Sequence, residues 1–386
     1  MTNKINIGLV APFDEPNYGT VLQAYALQKS LSDRGVDSEY IRFINDERPA
    51  CVQSISQLIK TFIQRMKFLL GLRKDNLEDF SFFKSKEFTP VVKGYSDFVK
   101  NNIKCSDVVF NRISLRKTSR YLSCIVGSDQ TWSEFRCRNN DLYFLGCVNE
   151  DVRKYSYAPS LGTTTISSAY AAILEEGLRG FRMLSCREKA NAEYLSSLIG
   201  CEVKHVVDPT LLLSPSEWNN ISDSTLCPTK PYLLAYILGE KECISQYAEM
   251  VGQELGLQVY YIVTRPLYSQ KINTLYPTPG QFVALISHAS FVVTDSFHGT
   301  IFSVNHSVDF AAFSKREGDL SSVDNARIIE ILSLLGLENH FLEDNSCTKT
   351  PKIDYPAVHN KLSLLQKMSI EYLELLIQDL RNESDN

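Results

Sequence analysis

At 386 residues the chain exceeds one ordinary core and fits about two domains of ~150–200 residues each. Its 44% hydrophobic and 22% charged residues suit a soluble folded protein, and no apolar run approaches the ~20 residues that span a bilayer. The net charge of −5 argues against a nucleic-acid binder, because neutralising phosphates needs a basic face. Polar residues interrupt Met1–Val10, so it does not read as a secretory signal and a cytoplasmic setting is expected. The ten cysteines are scattered without a Cys-x-x-Cys pair, so reduced thiols are expected and no zinc site.

Ile5–Val10 predicts a first strand. After the turn Pro12–Gly19, Thr20–Arg34 carries Val21, Leu22, Tyr25, Leu27 and Leu31 close to helical spacing. Gly35 ends that helix, and Ser38–Phe43 resumes as a strand. This is a βαβ unit with its loop at the strand's carboxyl end. The loop holds Asn17-Tyr18-Gly19 and lacks the Gly-x-Gly-x-x-Gly of a dinucleotide site. Ile55–Leu70 carries one apolar stripe flanked by Lys60, Arg65 and Lys67. It could lie on an anionic membrane surface or pack on the domain. The second reading is preferred, because most amphipathic helices face a core.

Tyr121–Val126 predicts a buried strand that ends in Gly127-Ser128-Asp129-Gln130-Thr131-Trp132. Lys154–Ala158 and Phe181–Cys186 predict two more, the second leading through Arg187 into a helix that reaches Leu195. His205–Val207 then runs into Asp208-Pro209-Thr210. Residues 1–214 thus alternate strand and helix as a doubly wound sheet does, and Ser214–Lys230 reads as a link. A second α/β series follows over 215–355. It runs as strand Tyr232–Leu238, helix Glu240–Leu255, strand Gln258–Val263, helix Gly280–His288 and strand Phe291–Thr294, then helix His298–Val304, strand Val308–Phe313 and helix Asp324–Leu335. A last helix, about Asn360–Leu380, is expected to return to the first domain. The predicted class is α/β, two doubly wound domains facing a cleft.

The turn Asp295-Ser296-Phe297-His298-Gly299-Thr300 carries the most chemistry. Backbone N–H groups at such a strand-to-helix turn can hold a phosphate or carboxylate. Gly299 would let an anion approach the backbone, and His298 could donate a proton. The plainer alternative is a helix cap by Ser296 or Asp295. Arg187 suits a carboxylate or phosphate, or else makes a surface ion pair. Asp129 could take a hydroxyl proton or hold a sugar hydroxyl, and Trp132 could stack on a sugar face; the alternatives are a turn cap and a core residue. Lys315 and Arg316 could reach an anion or be solvated. Arg327 opens a helix, where the dipole disfavours a cation, so an anionic partner is expected. The other histidines lack metal-ligand spacing, and no nucleophile elbow or Walker loop is present.

Taken together, these segments resemble the polysaccharide pyruvyl transferase family. The resemblance rests on Asn17-Tyr18-Gly19 with Val21-Leu22-Gln23-Ala24-Tyr25-Ala26-Leu27, then Val126–Trp132, Ser156-Tyr157-Ala158, Ser185-Cys186-Arg187-Glu188, Val207–Leu211, Thr294–Thr300 and Asn325-Ala326-Arg327-Ile328. They run in family order from about residue 5 to 340. The resemblance implies two Rossmann-like domains of GT-B type. It implies transfer of the pyruvyl group of phosphoenolpyruvate onto two hydroxyls of a sugar in a polysaccharide precursor, as a cyclic ketal, with release of phosphate. It implies no metal or organic cofactor, a role in capsule or exopolysaccharide biosynthesis, and work in the cytoplasm or at the inner face of the membrane, where the acceptor is free or lipid-linked.

Family members contact the donor through an arginine of the first domain, matched by Arg187, and an Arg-Leu-His triplet of the second. His298 matches the triplet histidine, while Ser296 stands for its arginine and Phe297 for its leucine. Either Lys315, Arg316 or Arg327 then supplies the missing cation, or the donor is bound differently, or donor use has changed. The expected donor side is Arg187, Ser296, His298, Gly299, Thr300, Lys315 and Arg327. The expected acceptor side is Asn17, Tyr18, Gly19, Asp129, Gln130 and Trp132, with His298 as acid and Asp129 as base. Two alternatives stay open: a nucleotide-sugar glycosyltransferase on the same architecture, and a non-catalytic binding relative.

Overall fold

The computed structural model describes residues 7–44, 86, 88–137, 141–239, 241–264, 266–315, 323–343 and 348–382. The predicted basic helix Ile55–Leu70 and Arg316 lie outside the described residues.

Two sheets organise the chain, and every pairing in them is parallel. The first holds β1 (Ile7–Val10), β2 (Ser38–Phe43), β3 (Cys105–Phe110), β4 (Ser123–Val126), β5 (Arg153–Ser156), β6 (Phe181–Cys186) and β7 (Val203–His205). The second holds β8 (Tyr232–Tyr236), β9 (Gln258–Ile262), β10 (Thr274–Leu275), β11 (Phe291–Thr294), β12 (Phe310–Phe313) and β13 (Phe341–Leu342). Their orders are β3-β2-β1-β4-β5-β6-β7 and β10-β9-β8-β11-β12-β13. Counted from its own first strand, each sheet opens 3-2-1-4-5-6, the doubly wound Rossmann order. The central strands β1, β4, β8, β11 and β12 are buried along their whole length. Helices cover both sheet faces, which explains why these strands are unbroken apolar runs. Each sheet reverses direction between its first and fourth strands. The crevice at that reversal, outside the strands' carboxyl ends, is where such sheets bind ligands.

Helix Tyr18–Ser32 starts where Asn17 accepts a hydrogen bond from the Thr20 amide at 3.3 Å. It is buried nearly all round, because the second domain packs against it as well. The Tyr18 ring stacks on Phe282 at 4.3 Å, and its hydroxyl donates to the Pro277 carbonyl at 2.7 Å. The link between the domains is also anchored. Ser214 and Glu217 form a capping box, and the Trp218 ring is fully buried between Tyr25 and Phe302. Helix Tyr355–Asn382 crosses from one domain to the other. Tyr355 donates to the Val308 carbonyl in the second domain, while the Tyr372 hydroxyl donates to the Ser156 carbonyl and Asp379 accepts from Tyr155 in the first.

Several expectations shift. β7 ends at His205, two residues before the predicted end. Its continuation leaves the sheet because the Val207 amide donates to the Ser369 hydroxyl of the last helix at 2.9 Å. β3, helix Thr89–Asn102 before it and helix Ser168–Leu178 are additions to the sequence reading. So are β10 and β13, which at two residues each are too short to show alternation.

Candidate active site

The first domain contributes the loops after β1 and β4. Gly127 has φ +120°, and a Cβ there would fall 2.0 Å from the Tyr157 carbonyl oxygen, so only glycine fits. Ser128 is pinned on both sides: its amide donates to Gln23 at 3.1 Å and its hydroxyl to the Ala158 carbonyl at 2.9 Å. Gln23 in turn donates to the carbonyls of Pro12 and Thr20, so one side chain ties the two loops together. The result is Asp129 in the left-handed region, φ 66°, a conformation aspartate adopts more readily than most residues.

Its carboxylate accepts from the Thr20 hydroxyl at 2.9 Å. Beside it Arg136 grips Glu15 with two nitrogens, each at 3.2 Å, in a buried pair. Burial alone would raise the Asp129 pKa, but the fields of Arg136, Arg187, His298 and Arg327 outweigh it and hold the carboxyl below its ordinary value.

The opposite wall draws on both domains. Arg187 follows β6 and is buried. Its Nη1 donates to Asp208 at 2.7 Å, and its guanidinium lies 4.6 Å from the centre of the Phe297 ring. Asp208 also accepts from the Thr210 amide and hydroxyl at 3.0 and 2.8 Å. His298 Nε2 stands 3.6 Å from the Asp208 carboxylate, longer than a hydrogen bond. Burial favours the neutral Asp208, but His298, Arg187 and the Thr210 amide reverse that and hold it far below the usual carboxylate range. The His298 ring also touches the first domain. A Cβ on Gly19 would sit 1.9 Å from its Nδ1, so that glycine clears the space for the imidazole. Arg327 reaches the same ring of Phe297, 5.6 Å from its centre. Both guanidiniums therefore lie against Phe297.

Four predicted residues meet at this junction: Asp129, Arg187, His298 and Arg327. Asn17 is the helix cap, and Gln130 lies over Gly162 near the same loop. Lys315 has its carbonyl oxygen packed on Gly239, beside Asp295 in the second domain.

Other expectations need correction. Trp132 is fully buried with its Nε1 donating to the Tyr143 carbonyl at 3.0 Å, so it offers no face to a sugar. Tyr18 is consumed by the domain interface described above. Ser296 caps helix Phe297–Asn305 through the Gly299 amide, the plainer of its two readings. Thr300 is fully buried and donates to the Ser296 carbonyl at 3.0 Å. Gly299 makes room for protein, not for an anion: a Cβ there would meet Thr294 Oγ1 at 2.4 Å.

Asp208, Arg136 and Glu15 also line this junction, and the sequence reading did not single them out. Asp208 could have been found, since an aspartate ending an apolar strand and capping Thr210 is a buried acid in need of a cation. The Glu15–Arg136 pair spans 121 residues and leaves no local pattern. Among the described residues no three His, Cys, Asp or Glu side chains gather as metal ligands would, and no helix is long and apolar enough to cross a membrane.

Solved structures similar to the chain include UGT2 of Phytolacca americana complexed with UDP-2-fluoro-glucose and pterostilbene, at 11% identity and TM-score 0.47, covering 99% of this chain and 100% of that one. They also include the UDP-GlcNAc 2-epimerase of Methanocaldococcus jannaschii, at 9% identity and TM-score 0.49, covering 97% and 99%. The Escherichia coli heptosyltransferase WaaC with ADP is similar at 10% identity and TM-score 0.40, covering 94% and 100%. No curated protein sequence matches the chain. Residues 17–315 match the family described as polysaccharide pyruvyl transferase, a span that takes in both switch points and every cleft residue named above except Glu15 and Arg327. The chain belongs to the polysaccharide pyruvyl transferase family, and its activity is transfer of a pyruvyl group from phosphoenolpyruvate to a pair of sugar hydroxyls.

Proposed function

We propose that phosphoenolpyruvate binds against Arg187, His298 and Arg327, and that the sugar hydroxyls bind against Asp129. One observation carries this reading. Arg187 Nη2 and His298 Nε2 come from opposite domains, are buried beside one carboxylate, and have no hydrogen-bond partner among the described residues. A buried donor left open costs about 1–3 kcal/mol, and an anion with several oxygens would satisfy both. The carboxylate and phosphate of the donor also call for two cations. Arg187 is one, and Arg327 supplies the one that Ser296 does not.

The chemistry follows from the donor. The methylene carbon takes a proton and becomes a methyl group, while the first sugar hydroxyl bonds to the adjacent carbon and loses its proton. The second hydroxyl then bonds to the same carbon as the bond to the phosphate oxygen breaks, and its proton leaves with phosphate. His298 is placed to deliver the proton or to stabilise the departing phosphate. Asp129, held ionised, accepts the hydroxyl hydrogen bond throughout. A carboxylate of depressed pKa is a weak base, so its proton transfer comes late, as the carbon–oxygen bond forms. The cavity that Arg187, Asp208, Phe297 and Arg327 line holds only about 20 Å³, room for about one water. The donor therefore enters when Phe297 turns or the domains part.

The test is incubation of candidate acceptors with phosphoenolpyruvate, followed by mass spectrometry for the ketal and by phosphate assay. Matched release of phosphate and ketal supports the reading. A thermal shift with sugar nucleotides and none with phosphoenolpyruvate would overturn it.

A further inference from the structure

Helix Tyr355–Asn382 has two apolar faces. Val358, Leu362, Tyr372, Leu373, Leu376, Ile377 and Leu380 face inward and are buried. Leu364, Met368 and Leu375 face outward at 66%, 55% and 53% exposure. At about 100° per residue these three fall within an arc of about 40°, so they form one stripe about 16 Å long. Isolated exposed leucines are ordinary, but an aligned stripe on the outer face of a helix marks a contact surface.

The charges beside the stripe run in order. Lys361 and Lys367 flank its first half, and Glu371 and Glu374 its second. All four are exposed, and the Lys367–Glu371 pair within the helix is loose at 4.0 Å. A parallel copy would set lysine on lysine and glutamate on glutamate. An antiparallel copy, with its two-fold axis between residues 369 and 370, sets Leu364 against the other copy's Leu375 and brings the lysine half of each helix onto the glutamate half of the other. Such a self-complementary surface is what a closed two-fold interface requires. We infer that the chain forms an antiparallel two-fold dimer through the outer face of helix Tyr355–Asn382. The mixed charge argues against a lipid surface as the occupant, because an anionic bilayer would meet the glutamates.

Sedimentation equilibrium of the full chain over a concentration series tests this. The wild type is expected to be a dimer that weakens with salt. Leu364→Ala with Leu375→Ala should weaken association by about tenfold or more, equal to ~1.4 kcal/mol. The double variant Lys361→Glu, Lys367→Glu and the double variant Glu371→Lys, Glu374→Lys should each be monomeric alone and form a heterodimer when mixed. Circular dichroism checks that each variant is folded. A wild type that stays monomeric at every concentration overturns the inference. So does a dimer that survives both charge variants unchanged.

Discussion

The two halves of the cleft carry an aspartate at the same topological position, just beyond the fourth strand of each sheet, and use it in opposite ways. Asp295, after β11, turns back on its own domain and accepts from the amides of Leu238 and Gly239 at 2.6 and 2.7 Å. Asp129, after β4, makes its side-chain bond to Thr20 and stands in the field of three arginines and a histidine. The first is a brace that closes the β8 loop. The second is a charged group presented to the cleft. An equivalent place in a repeated architecture therefore fixes only that a polar group will be there; its neighbours decide whether it holds the fold or meets a substrate.

Substitutions can break this contrast, and the largest effects belong to the cleft's open donors. Arg187→Ala and His298→Ala are each expected to lower kcat/KM by about 10²–10³, measured as phosphate release. Arg187→Lys should not rescue, because an ammonium cannot both hold Asp208 and extend the Nη2 donor. Asp129→Asn should lower kcat by about 10² and, because the surrounding cations favour its ionised form, also lower the unfolding midpoint, though by less than Asp295→Asn does. Asp295→Asn should lose about 3 kcal/mol of stability while turnover per folded molecule is kept. Loss of turnover in well-folded Asp295→Asn would end the distinction.

The pH dependence sharpens the same contrast at smaller scale. Asp129 and Asp208 have folded pKa values below the ordinary 3.8. Both are ionised in the folded and unfolded states above that value, so their stabilisation is complete there and is lost as pH falls through the lower folded values. Urea midpoints between about pH 2 and 6 should drop on the acid side, and Asp208→Asn should flatten that drop. Gly19→Ala should displace the His298 ring and cost about tenfold in kcat, since its Cβ would land 1.9 Å from Nδ1. The smallest effect is expected for Ser296→Ala, about 1 kcal/mol of stability from the lost cap.

Much of the fold was legible because parallel strands buried on both faces write unbroken apolar runs, as Val292–Val293 and Cys124–Val126 do. The candidate site was legible where a motif sits at a strand's carboxyl end, and Asp129, Arg187 and His298 do come together there. It was misread where one residue type serves two purposes. Trp132 and Gly299 pack against protein, and nothing in the string distinguishes an aromatic or a glycine meant for a sugar or an anion from one meant for a core. Asp208 escaped notice for a related reason: Arg187 lies 21 positions away and reaches it only through the pairing of β6 with β7, and His298 lies 90 positions away in the other domain.

The clearance at Gly19 has a consequence for how such a chain can be inherited. A residue of the first domain is set by the girth of an imidazole in the second. The two domains cannot then be exchanged freely between relatives by recombination at the link. A hybrid that brings a larger residue to position 19 would fold two sound halves that fail to mate. Compatibility across the seam, rather than the integrity of either half, would decide which chimeras work.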